Sequence, residues 1–217
     1  MSKVSVQYFS DVLCVWAYVG QVRLDELESA FRDEVEVDCH FMTVFGDAHG
    51  KLTTSWRERG GLAGYAEHVR SVVARFDHVT IHADAWDPVA PASSLGCHVF
   101  LAAVKLLDAA VFRQVAWRLR EAFFAEGRDI AQRRVQLEVA ESIGLSVAAL
   151  EASLSSGRAH AELSRGLALA RSYGVETSPT YVFDEGRQRL NGNVGYRVIE
   201  ANVRELLRTP EPGQSWC

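Results

Sequence analysis

Nowhere does the chain carry an apolar run of about 18 residues, the length a helix needs to span a bilayer, so no membrane-crossing segment is expected. Close-spaced cysteines are also lacking. The four present, Cys14, Cys39, Cys97 and Cys217, form neither a Cys-x-x-Cys pair nor a Cys/His cluster with zinc spacing. That argues against a disulfide framework and against a metal site. Positive charge is not in excess. Lys and Arg number 23 against 28 Asp and Glu, a formal charge of −5, which argues against nucleic acid or an anionic membrane as partner. The opening segment MSKVSVQYFSDVL lacks a basic stretch followed by an apolar one. The expected location is therefore the cytoplasm, where thiols stay reduced. What remains is ordinary globular material, 48% hydrophobic and 24% charged over 217 residues. It suits one domain, or one domain carrying a sizeable insertion.

Val4, Val6 and Tyr8 alternate with Ser5, Gln7 and Phe9, which predicts a strand over 3–9. After the Asp11-Val12-Leu13 turn, Tyr18, Val22, Leu24, Leu27 and Phe31 have helical spacing, and Val35, Val37, Cys39 and Phe41 alternate again. This is a parallel β-α-β unit. Residues 45–61, punctuated by Gly46, Gly50, Gly60 and Gly61, read as a polar loop. Helical periodicity then predicts helices over 65–76, 94–107, 110–124, 131–143, 147–154 and 159–173, with Ser93 or Ser94 capping one start and Asp129 with Gln132 forming a capping box at another. Strand chemistry returns in Thr180-Tyr181-Val182-Phe183, turns at Asp184-Glu185-Gly186 and pairs with 187–190 before a last helix over 196–207. The order is that of an α/β thioredoxin fold interrupted by helices. Residues 1–45 plus 175–217 form the thioredoxin-like part, and 46–174 a mostly helical insertion domain.

Two distant segments should meet in such a fold. The first brings Cys14 to the amino terminus of the first helix, where free N–H groups and the helix dipole stabilise an anion. A thiol of pKa near 8.5 is only about 3% ionised at pH 7, and lowering it to about 6 makes it about 90% thiolate. Cys14 is therefore expected to be a nucleophilic thiolate. The second segment is Thr177-Ser178-Pro179-Thr180, where a proline opening a strand is a candidate for a cis bond. Ser178 and Pro179 would offer an extended substrate a backbone edge, and Trp16 an apolar wall.

Other suggestive residues have simpler explanations. Cys39 lies on the core face of its strand and Cys97 in an apolar helix, so both read as buried hydrophobes. His78 and His82 flank Val-Thr-Ile, which reads as a strand, and i and i+4 lie about 13 Å apart on a strand, too far for one metal. Trp56, Trp86 and Trp117 read as packing residues. Cys217, in a tail within about 30 Å of the last helix, is a candidate to resolve a disulfide on Cys14.

With these residues in place, the chain resembles the DsbA-like thioredoxin family in its FrnE-like cytoplasmic branch. Members read Asp-x-x-Cys-Pro-Trp-Cys-Tyr-x-Gly after the first strand; this chain reads Asp11-Val12-Leu13-Cys14-Val15-Trp16-Ala17-Tyr18-Val19-Gly20. Glu121-Ala122-Phe123-Phe124 with Gly127-Arg128-Asp129-Ile130, and Gly174-Val175 followed by Ser178-Pro179-Thr180-Tyr181-Val182-Phe183, also match. Two departures stand out, Val15 for proline and Ala17 for the second redox cysteine. Dithiol exchange cannot close within this motif. Relatives lacking the pair are 2-hydroxychromene-2-carboxylate isomerases and kappa-class glutathione transferases, which use glutathione and carry serine where Cys14 stands. Kappa-type chains hold glutathione with a Gly-x-Asp; the matching stretch is Gly192-Asn193-Val194, which offers Asn193 instead.

Three functions follow from the resemblance. The first is a thiol-disulfide oxidoreductase working through Cys14 alone on disulfide or glutathione-linked substrates, small molecule or protein. The second is a glutathione-dependent isomerase or transferase, and the third a non-catalytic binding module. No tightly bound cofactor is implied, glutathione being the candidate cofactor, and the resemblance is compatible with a homodimer.

Overall fold

The structure, a computed structural model, describes residues 3–208. Its sheet is built from β1 (Val4–Ser10), β2 (Val35–Phe41), β3 (Thr180–Phe183) and β4 (Gln188–Asn191), in the spatial order β2-β1-β3-β4. β1 pairs parallel with β2, Val4 opposite Val35, and antiparallel with β3, Phe9 opposite Thr180. β3 and β4 pair antiparallel around a tight turn in which Asp184 and Glu185 take positive φ. Central β1 is buried along most of its length because both its neighbours and both its faces are covered. This is the thioredoxin-like α/β fold.

Helix α1 (Val15–Ala30) is the crossover between β1 and β2. It buries Leu24 and Leu27 against Val4, Val6 and Tyr8 of β1, on the sheet face that α9 (Tyr196–Leu207) also covers through Ile199 and Val203. The opposite face, with Phe9, Met42 and Val182, is closed by Ala170 and Leu169 of α8 (Arg158–Ser172). Between β2 and β3 lie α2 (Ala48–Ser55), α3 (Gly61–Val73), α4 (Leu95–Leu107), α5 (Phe112–Phe124), α6 (Arg133–Ser142), α7 (Val147–Ser155) and α8. Their core, centred on Phe100, Leu119, Phe123 and Phe124, is continuous with Val12, Leu13, Cys14 and Ala17. Tyr18 makes the join: its ring stacks on Phe124 at 4.7 Å and Trp117 at 5.2 Å, and its hydroxyl donates to the Thr80 carbonyl at 3.1 Å. Each fully buried aromatic of this kind contributes about 2–3 kcal/mol of burial.

Several sequence expectations are corrected here. Residues 48–55 are helical, not loop: Asp47 accepts a hydrogen bond from Gly50 N at 2.8 Å as an N-cap, and Leu52 is buried. One short helix with one or two core contacts leaves little periodicity to read. The Val-Thr-Ile segment between His78 and His82 is not a strand, since no neighbour offers it an edge; both histidines are exposed. Asp129 and Gln132 make no helix capping box. Asp129 accepts from Ala131 N within the preceding turn, and α6 begins only after Gln132. Trp86 is fully buried and Trp56 and Trp117 pack against the core. Cys97 is buried and Cys39 half-buried; Cys217 lies outside the described residues.

Gly127 explains the Gly-Arg-Asp-Ile stretch in physical terms. Its φ is +66°, and a Cβ there would meet His82 Nδ1 at 2.5 Å. Only glycine combines that backbone with that approach.

Candidate active site

β1 ends at Ser10, and the chain turns through Asp11, Val12 and Leu13 before α1 starts. Asp11 makes the turn. Its Oδ1 accepts from Leu13 N at 2.9 Å, as an Asx turn requires, and its carbonyl accepts from Cys14 N at 3.1 Å. Cys14 is thereby the N-cap residue of α1, with φ −80° and ψ 117°, and its carbonyl accepts from Ala17 N and Tyr18 N. The other segment arrives from α8 through Gly174, at φ +61°, and carries a cis Ser178–Pro179 bond.

Ser178 ties the two together. Its hydroxyl accepts from Asp11 N at 2.9 Å, and its carbonyl accepts from the Cys14 thiol at 3.3 Å. Cys14, Ser178 and Pro179 thus meet across 164 residues of sequence. Trp16 sits in the first turn of α1, half-buried, with the Arg75 guanidinium 5.3 Å over its ring. Asn193 is not brought to this place. It is exposed beyond β4 and hydrogen-bonds Arg23, nine residues and about 13 Å along α1 from Cys14.

The expected thiolate is contradicted. Cys14 is only 6% exposed, and burial pushes its thiol above the ordinary value. The Ser178 contact and the Ala17 and Trp16 N–H groups oppose that push, and the Asp11 carboxylate reinforces it. The helix amino terminus is present, but desolvation outweighs it. At rest Cys14 is a neutral hydrogen-bond donor.

Sequence reasoning also missed the polar cluster beneath the cysteine. Asp11 is fully buried, and its Oδ2 accepts from Phe45 N at 2.9 Å and from the Ser94 hydroxyl at 2.8 Å. Ser94 is therefore diverted from capping α4, which Ser93 does instead by accepting from Leu95 N. His98, also fully buried, accepts from Val12 N through Nε2 at 3.1 Å and stacks on Phe41. Burial opposes the Asp11 charge, but His98 and the Phe45 and Leu13 N–H groups win, so the carboxyl lies below its usual range. Asp11 was visible in the Asp-x-x-Cys stretch, though only as a turn residue; Ser94 and His98 carry no signal at all in a chain where 83 and 87 residues separate them from it.

Lys51 stands at the edge, its ammonium donating to the Val44 carbonyl at 3.1 Å and lying 4.8 Å over the Phe45 ring. It lines an open groove of about 460 Å³ with Met42, Thr43, Val44, Val175 and Glu176, the last two leading directly into Ser178. Among the described residues no group of three His, Cys, Asp or Glu side chains is disposed to hold a metal, and no helix is long and apolar enough to cross a membrane.

A buried carboxylate under a helix-capping cysteine, facing a cis-proline, on a β2-β1-β3-β4 sheet is one constellation. The family model of the DSBA-like thioredoxin domain matches residues 5–204. The chain belongs to that family. A search of curated proteins gave no match. Among solved structures the chain is similar in fold to a probable DsbA oxidoreductase of Streptomyces coelicolor, at 21% identity and TM-score 0.76, covering 96% of this chain and 92% of that one. It is also similar to the cytosolic disulfide reductase DsbM of Pseudomonas aeruginosa, at 21% identity and TM-score 0.66 over 92% and 98% of the two chains. A third is 2-hydroxychromene-2-carboxylate isomerase, at 16% identity and TM-score 0.66 over 93% and 95%. Ala17, where the resemblance places a second redox cysteine, is fully buried.

Proposed function

We propose that this protein performs thiol–disulfide exchange through Cys14 alone. The observation that carries the reading is the 3.3 Å contact between Cys14 Sγ and the Ser178 carbonyl, on the cis side of Pro179. An extended substrate lying along the groove would take that carbonyl with its own N–H, as an added strand does. The thiol then loses its acceptor, releases its proton to solvent, and faces the Trp16 and Ala17 N–H groups as an anion. Cys14 thiolate attacks one sulfur of R–S–S–R′, forming Cys14–S–S–R and expelling R′–S⁻, which takes up a proton. A second thiol, glutathione in a reducing cytoplasm, attacks the R sulfur of the mixed disulfide as its thiolate, leaves as the disulfide G–S–S–R, and regenerates the Cys14 thiolate. The electrons balance without a second protein cysteine.

A raised thiol pKa slows this step only moderately. Each unit above ambient pH costs about tenfold in thiolate, but the stronger nucleophile recovers about threefold. Incubation with glutathione disulfide should add one glutathione to Cys14 by mass spectrometry, reversibly, and none to Cys14→Ser. No adduct after prolonged exposure at pH 8.5 would refute the proposal.

One observation favours a second reading. A neutral Cys14 S–H is a donor, as a serine hydroxyl would be, and suits holding the thiolate of bound glutathione for isomerisation or transfer. In that case glutathione binds without an adduct and Cys14→Ser keeps activity.

A further inference from the structure

Away from Cys14, between β1, β2, α1 and α5, lies a cavity of about 20 Å³. Tyr8, Arg113 and Arg120 line it, and each carries a buried side-chain atom without a protein partner among the described residues: the Tyr8 hydroxyl, Arg113 Nε and Arg120 Nε. Both guanidinium nitrogens can only donate, and the tyrosine carries a proton to give. A fourth donor is at hand in Ser10, whose oxygen already accepts from Arg120 Nη2 at 2.9 Å and whose proton can turn to the Tyr8 oxygen or into the cavity.

Charge points the same way. Arg113 pairs with two carboxylates, Asp25 and Glu28, so the guanidinium left without a charged partner is that of Arg120. Arg120 is 3% exposed, and among the described residues no carboxylate lies within salt-bridge distance of it; its other bond, from Nη1 at 2.9 Å, goes to the neutral Gln21 carbonyl. A desolvated guanidinium with neutral partners is costly, and a counter-ion removes that cost. A water molecule could turn its two hydrogens toward the Tyr8 and Ser10 oxygens but would leave the Arg120 charge unbalanced, which an anion does not. The volume admits one small particle, since about 10–15 Å³ suffices for a water. Carboxylates and phosphates are too large.

We infer that this cavity is a binding site for a single monatomic anion of the halide class, held by Arg120 Nε, Arg113 Nε, the Tyr8 hydroxyl and Ser10. Because Ser10 is the last residue of β1, the ion braces the strand end from which the Asp11 turn departs. It is a structural site, independent of the exchange proposed for Cys14.

The test uses the full chain in sodium bromide, sodium chloride or sodium gluconate at constant ionic strength, gluconate being too large to enter. Crystals grown in bromide should show an anomalous peak in the cavity. Thermal melting should rise in either halide relative to gluconate, with a saturable midpoint that Tyr8→Phe weakens about tenfold, the effect of one lost hydrogen bond to a charged partner. Arg120→Met should abolish the halide dependence; if that variant does not fold, Tyr8→Phe carries the test. A cavity holding only an ordered water in bromide crystals overturns the inference. So does a halide response identical in wild type and Tyr8→Phe.

Discussion

Replacing Asp11 with Asn should make the protein less stable and Cys14 more reactive at once. The carboxylate accepts from Leu13 N through one oxygen and from Phe45 N and Ser94 Oγ through the other. In either orientation an amide presents its NH₂ to a buried backbone N–H. Ser94 can rotate to accept from the amide, but Leu13 or Phe45 is left without an acceptor. An unmet buried donor costs about 1–3 kcal/mol, and the surviving bonds lose their charge assistance, so the total is about 2–3 kcal/mol. For a chain of this length that lowers Tm by about 4–12 °C. The thiol moves the opposite way. The carboxylate raises the Cys14 pKa, and a nearby unit charge in an effective dielectric near 20 disfavours the thiolate by about 2 kcal/mol, a factor of about 30 in its population. Weaker intrinsic nucleophilicity returns about fivefold. Alkylation of Cys14 by iodoacetamide at pH 7, followed by mass spectrometry, should therefore run about fivefold faster in Asp11→Asn. Equal or slower alkylation in a folded variant would show that Asp11 does not restrain the cysteine. The same carboxyl sets the acid limb of stability. Its folded pKa lies below the unfolded one, so its contribution is complete above about pH 4 and is lost as pH falls through the folded value. Denaturation measured below pH 4 should be steeper in wild type than in Asp11→Asn.

Three further outcomes are expected. In wild type, Cys14 alkylation should keep rising with pH through the ordinary thiol range, and a plateau below pH 7 would contradict the burial that raises its pKa. Ser178→Ala removes the acceptor of the buried Asp11 N–H and should cost about 1–2 kcal/mol in urea unfolding, yet leave Cys14 alkylation within about twofold, because the thiol bonds the Ser178 carbonyl and not its hydroxyl. Gly64→Ala, in the first turn of α3, reverses the usual sign for a helical glycine. Alanine ordinarily gains about 1 kcal/mol there, but a Cβ at Gly64 would stand 1.8 Å from the Arg59 carbonyl oxygen, so a loss of about 2–4 kcal/mol is expected in thermal melting.

Period and punctuation in the sequence determined the elements of this protein. Alternation placed β1 and β2, β-branched and aromatic residues placed β3, helical spacing placed α1 and α3 to α9, and the short α2 escaped because eight residues burying only Ala48 and Leu52 leave no pattern. Local chemistry also marked Cys14, Ser178 and Pro179, since a strand end, a helix start and an X-Pro bond are properties of neighbours along the chain. Tertiary structure decided the ionisation of the site. Whether Cys14 is an anion depends on how much water reaches its sulfur and on a carboxylate whose charge is held by Ser94 and Phe45 and shared with His98. Those partners come from the turn after β2 and from the start of α4, and desolvation is a sum over everything packed around an atom. No stretch of sequence carries that sum, so the tertiary packing turned an expected thiolate into a buried, neutral donor.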